Sequence, residues 1–200
     1  MRGNRIICIF MLLMCLAYAQ AQNVSAHETW RNKYVNIGYI FQHLKTPDVD
    51  LNSKYGLSIG LGKTYFLGHE WMQRPLRWGI DATLGDAAFV RYRKNFDELD
   101  VSMGVGPSLT YLSHDQMQLH GFLHYHPSCS WMFAPDESWI GFNSIIALGV
   151  SLSRKSIGVG LESRFSFCPY VPFAPCDCTP SYESGFTSGY GLRVFITVRY

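Results

Sequence analysis

The stretch KYGLSIGLGKTYF, Lys54 to Phe66, alternates Tyr55, Leu57, Ile59 and Leu61 with Lys54, Gly56, Ser58, Gly60, Gly62 and Thr64. Side chains on a strand point to opposite faces with a period of two, so this pattern predicts a strand with one bulky apolar face and one small polar face. The decisive question is which face meets solvent. A soluble sandwich or barrel turns its bulky face inward and shows Lys, Glu and Thr to water. Gly and Ser suit a crowded lumen instead, with the bulky face turned outward to lipid.

The rest of the chain repeats the pattern seven times. Segment one sets Val35, Ile37, Tyr39 and Phe41 against Asn36, Gly38 and Gln42. Segment three sets Leu76, Trp78, Ile80, Ala82 and Leu84 against Arg77, Gly79, Asp81, Thr83 and Gly85. Segment four follows from Asp100 to Tyr111, and segment five places Gln118, His120, Phe122, His124 and His126 opposite Met117, Leu119, Leu123 and Tyr125. Segments six and seven run from Ile140 to Leu152 and from Ile157 to Phe167, and segment eight from Gly189 to Tyr200. Each is long enough to cross a bilayer as a tilted strand of roughly 9 to 11 residues. The expected fold is an all-β, eight-stranded antiparallel up-and-down transmembrane β-barrel.

Composition supports lipid as the outer solvent. Only 16% of residues are charged and 15% are aromatic, against about 25% charged in ordinary soluble domains. An apolar belt of this extent on a soluble monomer would far exceed the few hundred Å² usually tolerated. The formal net charge of +2 leaves no electrostatic footprint for nucleic acid. At the N-terminus Arg2 and Arg5 precede an apolar run from Ile6 to Leu16 and the small-residue sites Ala17-Tyr18-Ala19 and Ala19-Gln20-Ala21. This reads as a secretory signal peptide over residues 1–21, followed by a short periplasmic segment over 22–32 and the barrel over 33–200.

With the N-terminus in the periplasm, the small-residue face predicts a lumen carrying both signs of charge: Arg77, Asp81, Asp100, His120, His124, Glu162, Arg164, Arg193 and Arg199. Lys63 is the charged exception on the bulky face, near a strand end where it can snorkel. Aromatics fall at expected interfaces, with Tyr65, Tyr111 and Tyr200 toward the periplasm and Phe41, Tyr55, Tyr125, Phe167 and Tyr190 toward the exterior. Cys129, Cys168, Cys176 and Cys178 are expected at the external rim, where disulfides would staple the final loop, although a metal site of the last three is the other reading.

The signal peptide, the eight amphipathic segments and the terminal GLRVFITVRY resemble a small outer-membrane β-barrel of the OmpA/OmpX type. That resemblance implies localisation in the bacterial outer membrane, contact with outer-membrane lipid and lipopolysaccharide, and a C-terminal strand whose final Tyr200 is read by the barrel-assembly machinery. It brings no catalytic motif and no cofactor. Within HGFLHYHPS, residues 120–128, His126 and Ser128 resemble the His-x-Ser pair of outer-membrane lipid A deacylases, with Glu137 or Asp136 as the acidic third member. That family's pair faces lipid, whereas parity here places both residues in the lumen unless Pro127 breaks the alternation. His120, His124 and His126 on one face, with a carboxylate from another strand, also raise a zinc or copper site, against imidazoles that merely fill a polar lumen. No metal is assigned.

Eight strands enclose an interior just wide enough for side chains, which argues against a general diffusion pore. The leading expectation is a non-enzymatic barrel serving envelope integrity or surface binding. The proline-rich loop 168–186 and the basic stretch Arg91-Tyr92-Arg93-Lys94 would present contacts for anionic lipopolysaccharide head groups. The alternatives are a lipid A-modifying hydrolase, an accessory subunit of an envelope secretion or conjugation complex, and a soluble lipocalin-like carrier.

Overall fold

Eight strands run in sequence order: β1 Lys33–Lys45, β2 Asp50–Phe66, β3 Leu76–Tyr92, β4 Asp97–Leu112, β5 Met117–Phe133, β6 Ser138–Arg154, β7 Ile157–Pro172 and β8 Phe186–Arg199. Each pairs antiparallel with its neighbour, and β1 also pairs with β8, which closes the barrel. The computed structural model describes residues 30–45, 50–67, 75–93, 96–113, 116–133, 138–172 and 186–200, with the backbone only at 139, 168–172, 186 and 187. The expected signal peptide, Asp136, Glu137, Cys176 and Cys178 lie outside the described residues.

The opening question has a clear answer. Leu61 is 49% exposed and Ser58 only 4%, so the bulky face looks outward and the small face inward. The same holds around the barrel, where Phe142 and Met103 are 71% and 64% exposed while Asp81 and Glu162 are each 1%. A belt of Leu, Val, Ile, Phe and Trp on every strand requires hydrocarbon around it, and closure leaves no unpaired sheet edge in that medium. The chain is therefore an integral barrel of the outer-membrane type. The lipocalin-like alternative fails here, because its bulky face would have to line the cavity.

The small residues of the inner face make room for rings. A Cβ at Gly62 would collide with Tyr34, at Gly149 with Phe122, and at Gly160 with Phe195. Rings and glycines thus alternate across the lumen, which keeps it full at a small radius.

Two irregularities change what parity alone predicts. On β3 the register shifts between Thr83 and Asp86 against β4, and between Leu61 and Gly62 on β2. Odd-numbered Arg77, Asp81 and Thr83 point inward before this bulge, and even-numbered Asp86, Ala88, Val90 and Tyr92 after it. A second shift, between Ser53 and Tyr55 against β3, buries Leu51 at 3% and leaves Lys54 exposed. Lys54 therefore does not lie on the inner face where uninterrupted alternation places it. The basic stretch is corrected too. Arg91 and Tyr92 belong to β3, Arg91 Nε sits 3.0 Å from Asp97 Oδ1, and Tyr92 is buried.

Candidate functional site

All nine expected lumen residues lie inside, none more than 8% exposed. They are distributed over successive tiers. At the end nearest the termini, Asp81 on β3 gathers three hydrogen-bond partners and a close fourth nitrogen, His124 Nε2. Thr64 Oγ1 lies 2.9 Å from Oδ1, and the Tyr34 hydroxyl, His120 Nε2 and His124 Nε2 lie 3.2, 3.3 and 3.2 Å from Oδ2. Thr110 Oγ1 engages His120 Nδ1 at 2.8 Å, and the Arg199 guanidinium stands 5.3 Å from the Tyr34 ring centre. One carboxylate thus ties together β1, β2, β3 and β5.

The middle tier is an ion-pair network across the barrel. Arg193 Nη1 donates to both carboxylate oxygens of Asp86 at 2.9 and 2.8 Å, and its Nη2 to Glu162. Arg164 adds contacts to Asp86 at 3.3 Å and to Glu162 at 3.4 Å. Two acids face two bases, so the network is neutral, and charge-assisted geometry satisfies groups that would otherwise be costly to bury. Asp86 is the member that alternation did not disclose, since only the β3 bulge turns it inward.

The third tier changes chemistry. Asp100 accepts from Ser128 Oγ at 2.8 Å and Ser130 Oγ at 2.6 Å, and Asn143 donates to Ser130. Glu98 accepts from Tyr92. Around that pair Ile40, Leu44, Leu51, Ala88, Val90, Tyr92 and Met132 form an apolar cluster. Ile40 and Leu44 stand on the polar parity of β1, so their inward placement becomes clear only once the lumen's end away from the termini is known to be apolar.

His126 and Ser128 both face the lumen, and β5 keeps its register with β6 without interruption through Pro127. The two do not form a nucleophile-base pair. Ser128 donates to Asp100, while His126 Nδ1 stands 3.5 Å from Ser102 Oγ. The three histidines and Phe122 stack along β5, with Phe122 and His124 centroids 4.4 Å apart. Among the described residues no group of three or more His, Cys, Asp or Glu is arranged to hold a metal ion. Cys129 is exposed on the outer surface and forms no disulfide among the described residues, while the Cys168 side chain, Cys176 and Cys178 lie outside them.

A feature without a clear signal in the sequence closes the mouth beside the termini. Trp30 lies under the Arg77 guanidinium at 3.8 Å and edge-on to Phe66 at 5.4 Å. Arg31 reaches Ser156 Oγ in the β6–β7 turn at 2.5 Å, and Gln118 Nε2 bonds the Arg31 carbonyl at 3.4 Å. Residues 30–32 therefore form a strap across the opening.

No protein-family model matches the chain. No curated protein matches it either. Among solved structures it is similar to Neisserial surface protein A, at 11% identity and a TM-score of 0.48, covering 84% of this chain and 97% of that one. It is similar to the attachment invasion locus protein of Yersinia pestis, at 13% identity and a TM-score of 0.37, covering 84% and 99%. It is also similar to the outer membrane protease OmpT from Escherichia coli, at 8% identity and a TM-score of 0.42, covering 90% and 100%. The architecture here rests on the chain's own closed register.

Proposed function

We propose that the protein is a non-enzymatic outer-membrane barrel, closed along its axis, that serves envelope integrity or surface binding through its external loops. The observation that carries this is the filled lumen. The Asp86–Arg193–Glu162–Arg164 network spans the interior, with the apolar cluster on one side and the Trp30–Arg31 strap on the other. Such a lumen passes no general solute, and the Ser128 hydroxyl is committed to a carboxylate rather than to a base. Lipopolysaccharide is the surrounding partner, met by the outer belt and by exposed cations such as Lys45, Lys54 and Arg93.

Two measurements test the reading together. Purified protein in planar bilayers should give no porin-sized conductance, and expression of the protein should leave the lipid A mass spectrum unchanged. A steady large conductance overturns the closed lumen, and loss or gain of a lipid A acyl chain overturns the non-enzymatic assignment.

A further inference from the structure

The seam between β4 and β5 loses pairing without any shift of register, unlike the β3–β4 seam at the same depth, where the gap between Thr83 and Asp86 is a bulge. Its register is constant, yet no pair forms at Met103, Gly104, Gly106 or Pro107, although Asp97–Ser102, Val105 and Ser108–Leu112 are paired. Two prolines account for all four gaps. In this register Met103 faces Pro127 and Pro107 faces Leu123, and both are positions whose backbones would exchange hydrogen bonds across the seam. Neither proline has an N–H to give. The carbonyls of Met103 and Leu123 thus lose their ladder donors in the middle of the wall. Hydrocarbon is the medium in which an unsatisfied backbone group is costliest. The adjoining β5–β6 seam is unbroken over the same residues of β5, and the gap left by Pro169 on β7 lies nearer the external rim.

What stands behind the gap is equally specific. Gly104 and Gly106 carry no side chains there; an added Cβ would meet the His126 ring at the first and the Leu123 carbonyl of β5 at the second. The imidazole of His126 therefore lies directly against Gly104. His126 is 1% exposed, and its Nε2 has no hydrogen-bond partner among the described residues. On the outer side stand Met103, Val105, Leu123 and Tyr125, all in the lipid belt. A weakened seam, two glycines beside it and an unpartnered buried nitrogen therefore coincide at one depth.

We propose that the β4–β5 seam is a lateral aperture, opening locally between the bilayer and His126, and that it admits an acyl chain bearing a hydrogen-bonding oxygen to the His126 imidazole. At this depth the outer surface meets only lipid chains, so whatever enters is carried on one, and its oxygen supplies the polar partner that Nε2 lacks. A lumen closed along its axis is compatible with a wall that opens sideways, so this inference does not rest on the absence of enzymatic activity.

Backbone hydrogen exchange on the protein in liposomes is the first test. The amides of Val105 and Tyr125, paired across the interrupted seam, should exchange about tenfold or more faster than those of His124 and Ala147, paired at the same depth on β5–β6. The double substitution Pro107→Val with Pro127→Val restores both donors and should remove the difference. Equal exchange on the two seams of the native chain overturns the aperture. The second test places His126→Cys in a Cys129→Ser background, with modification at residue 126 read by mass spectrometry. A bilayer-partitioning alkyl maleimide should label it and a membrane-impermeant one should not, and the proline replacements should suppress the labelling. Failure of the lipid-phase reagent in a barrel that still shows heat-dependent gel mobility overturns entry from the bilayer. The exchange comparison uses the native chain, so it decides the aperture even where the cysteine variant does not fold.

Discussion

The lumen is filled in two different ways, and the contrast separates two kinds of stability. In the half nearer the termini, Asp81, Asp86, Glu162, Arg164 and Arg193 fill space with charge, each group held by partners from other strands. In the other half Ile40, Leu44, Leu51, Val90 and Met132 fill it with hydrocarbon beside the hydrogen-bonded carboxylates Glu98 and Asp100. A charged network is cooperative, since removing one member strands the others in a buried interior. An apolar cluster degrades piecemeal, because each lost side chain leaves only its own cavity. The polar half therefore sets register and closure, while the apolar half seals.

The most disruptive single change should be Arg193→Met, which removes the closer of the two cations shared by Asp86 and Glu162 and leaves only the longer contacts of Arg164. A loss of about 3–5 kcal/mol is expected on urea unfolding in detergent micelles. A loss no greater than that of an apolar truncation would break the contrast. Next comes Leu44→Ala in the apolar half, expected to cost about 2–4 kcal/mol and to do so equally at low and high salt. A marked salt dependence there would mean the cluster is coupled to the ion pairs.

Gly149→Ala tests the fit of ring against glycine rather than either tier. Its methyl would meet Phe122, so a cost of about 1–3 kcal/mol is expected, relieved by the added change Phe122→Leu. The smallest effect belongs to the surface. Arg91→Ala removes an ion pair with Asp97 whose arginine side chain is 42% exposed, and no measurable change in the unfolding curve is expected.

Most of this architecture was legible from alternation. All eight strands stand where the period-two pattern puts them, because a barrel between two chemically opposite media enforces one parity for as long as the ladder is regular. The same rule explains the failures. One extra residue on β3 reverses every later side chain, and so brings Asp86, Val90 and Tyr92 inside without altering the composition of the segment. Lys54 leaves the inner face by the shift on β2. Histidines 120 and 124 were legible as lumen residues, but their convergence on Asp81 depends on how β3 and β5 approach across the interior.

By itself the sequence determined the strand count, the lipid-facing side and nine of the lumen's polar residues, though not Asp86 or Glu98, since these follow from a local periodicity and from the solvent each face demands. Only the tertiary structure decided which charges meet, where the lumen turns from polar to apolar, and that Pro107 and Pro127 fall on one seam. Those depend on register between strands distant along the chain, and register is set by closure of the whole barrel rather than by any one segment.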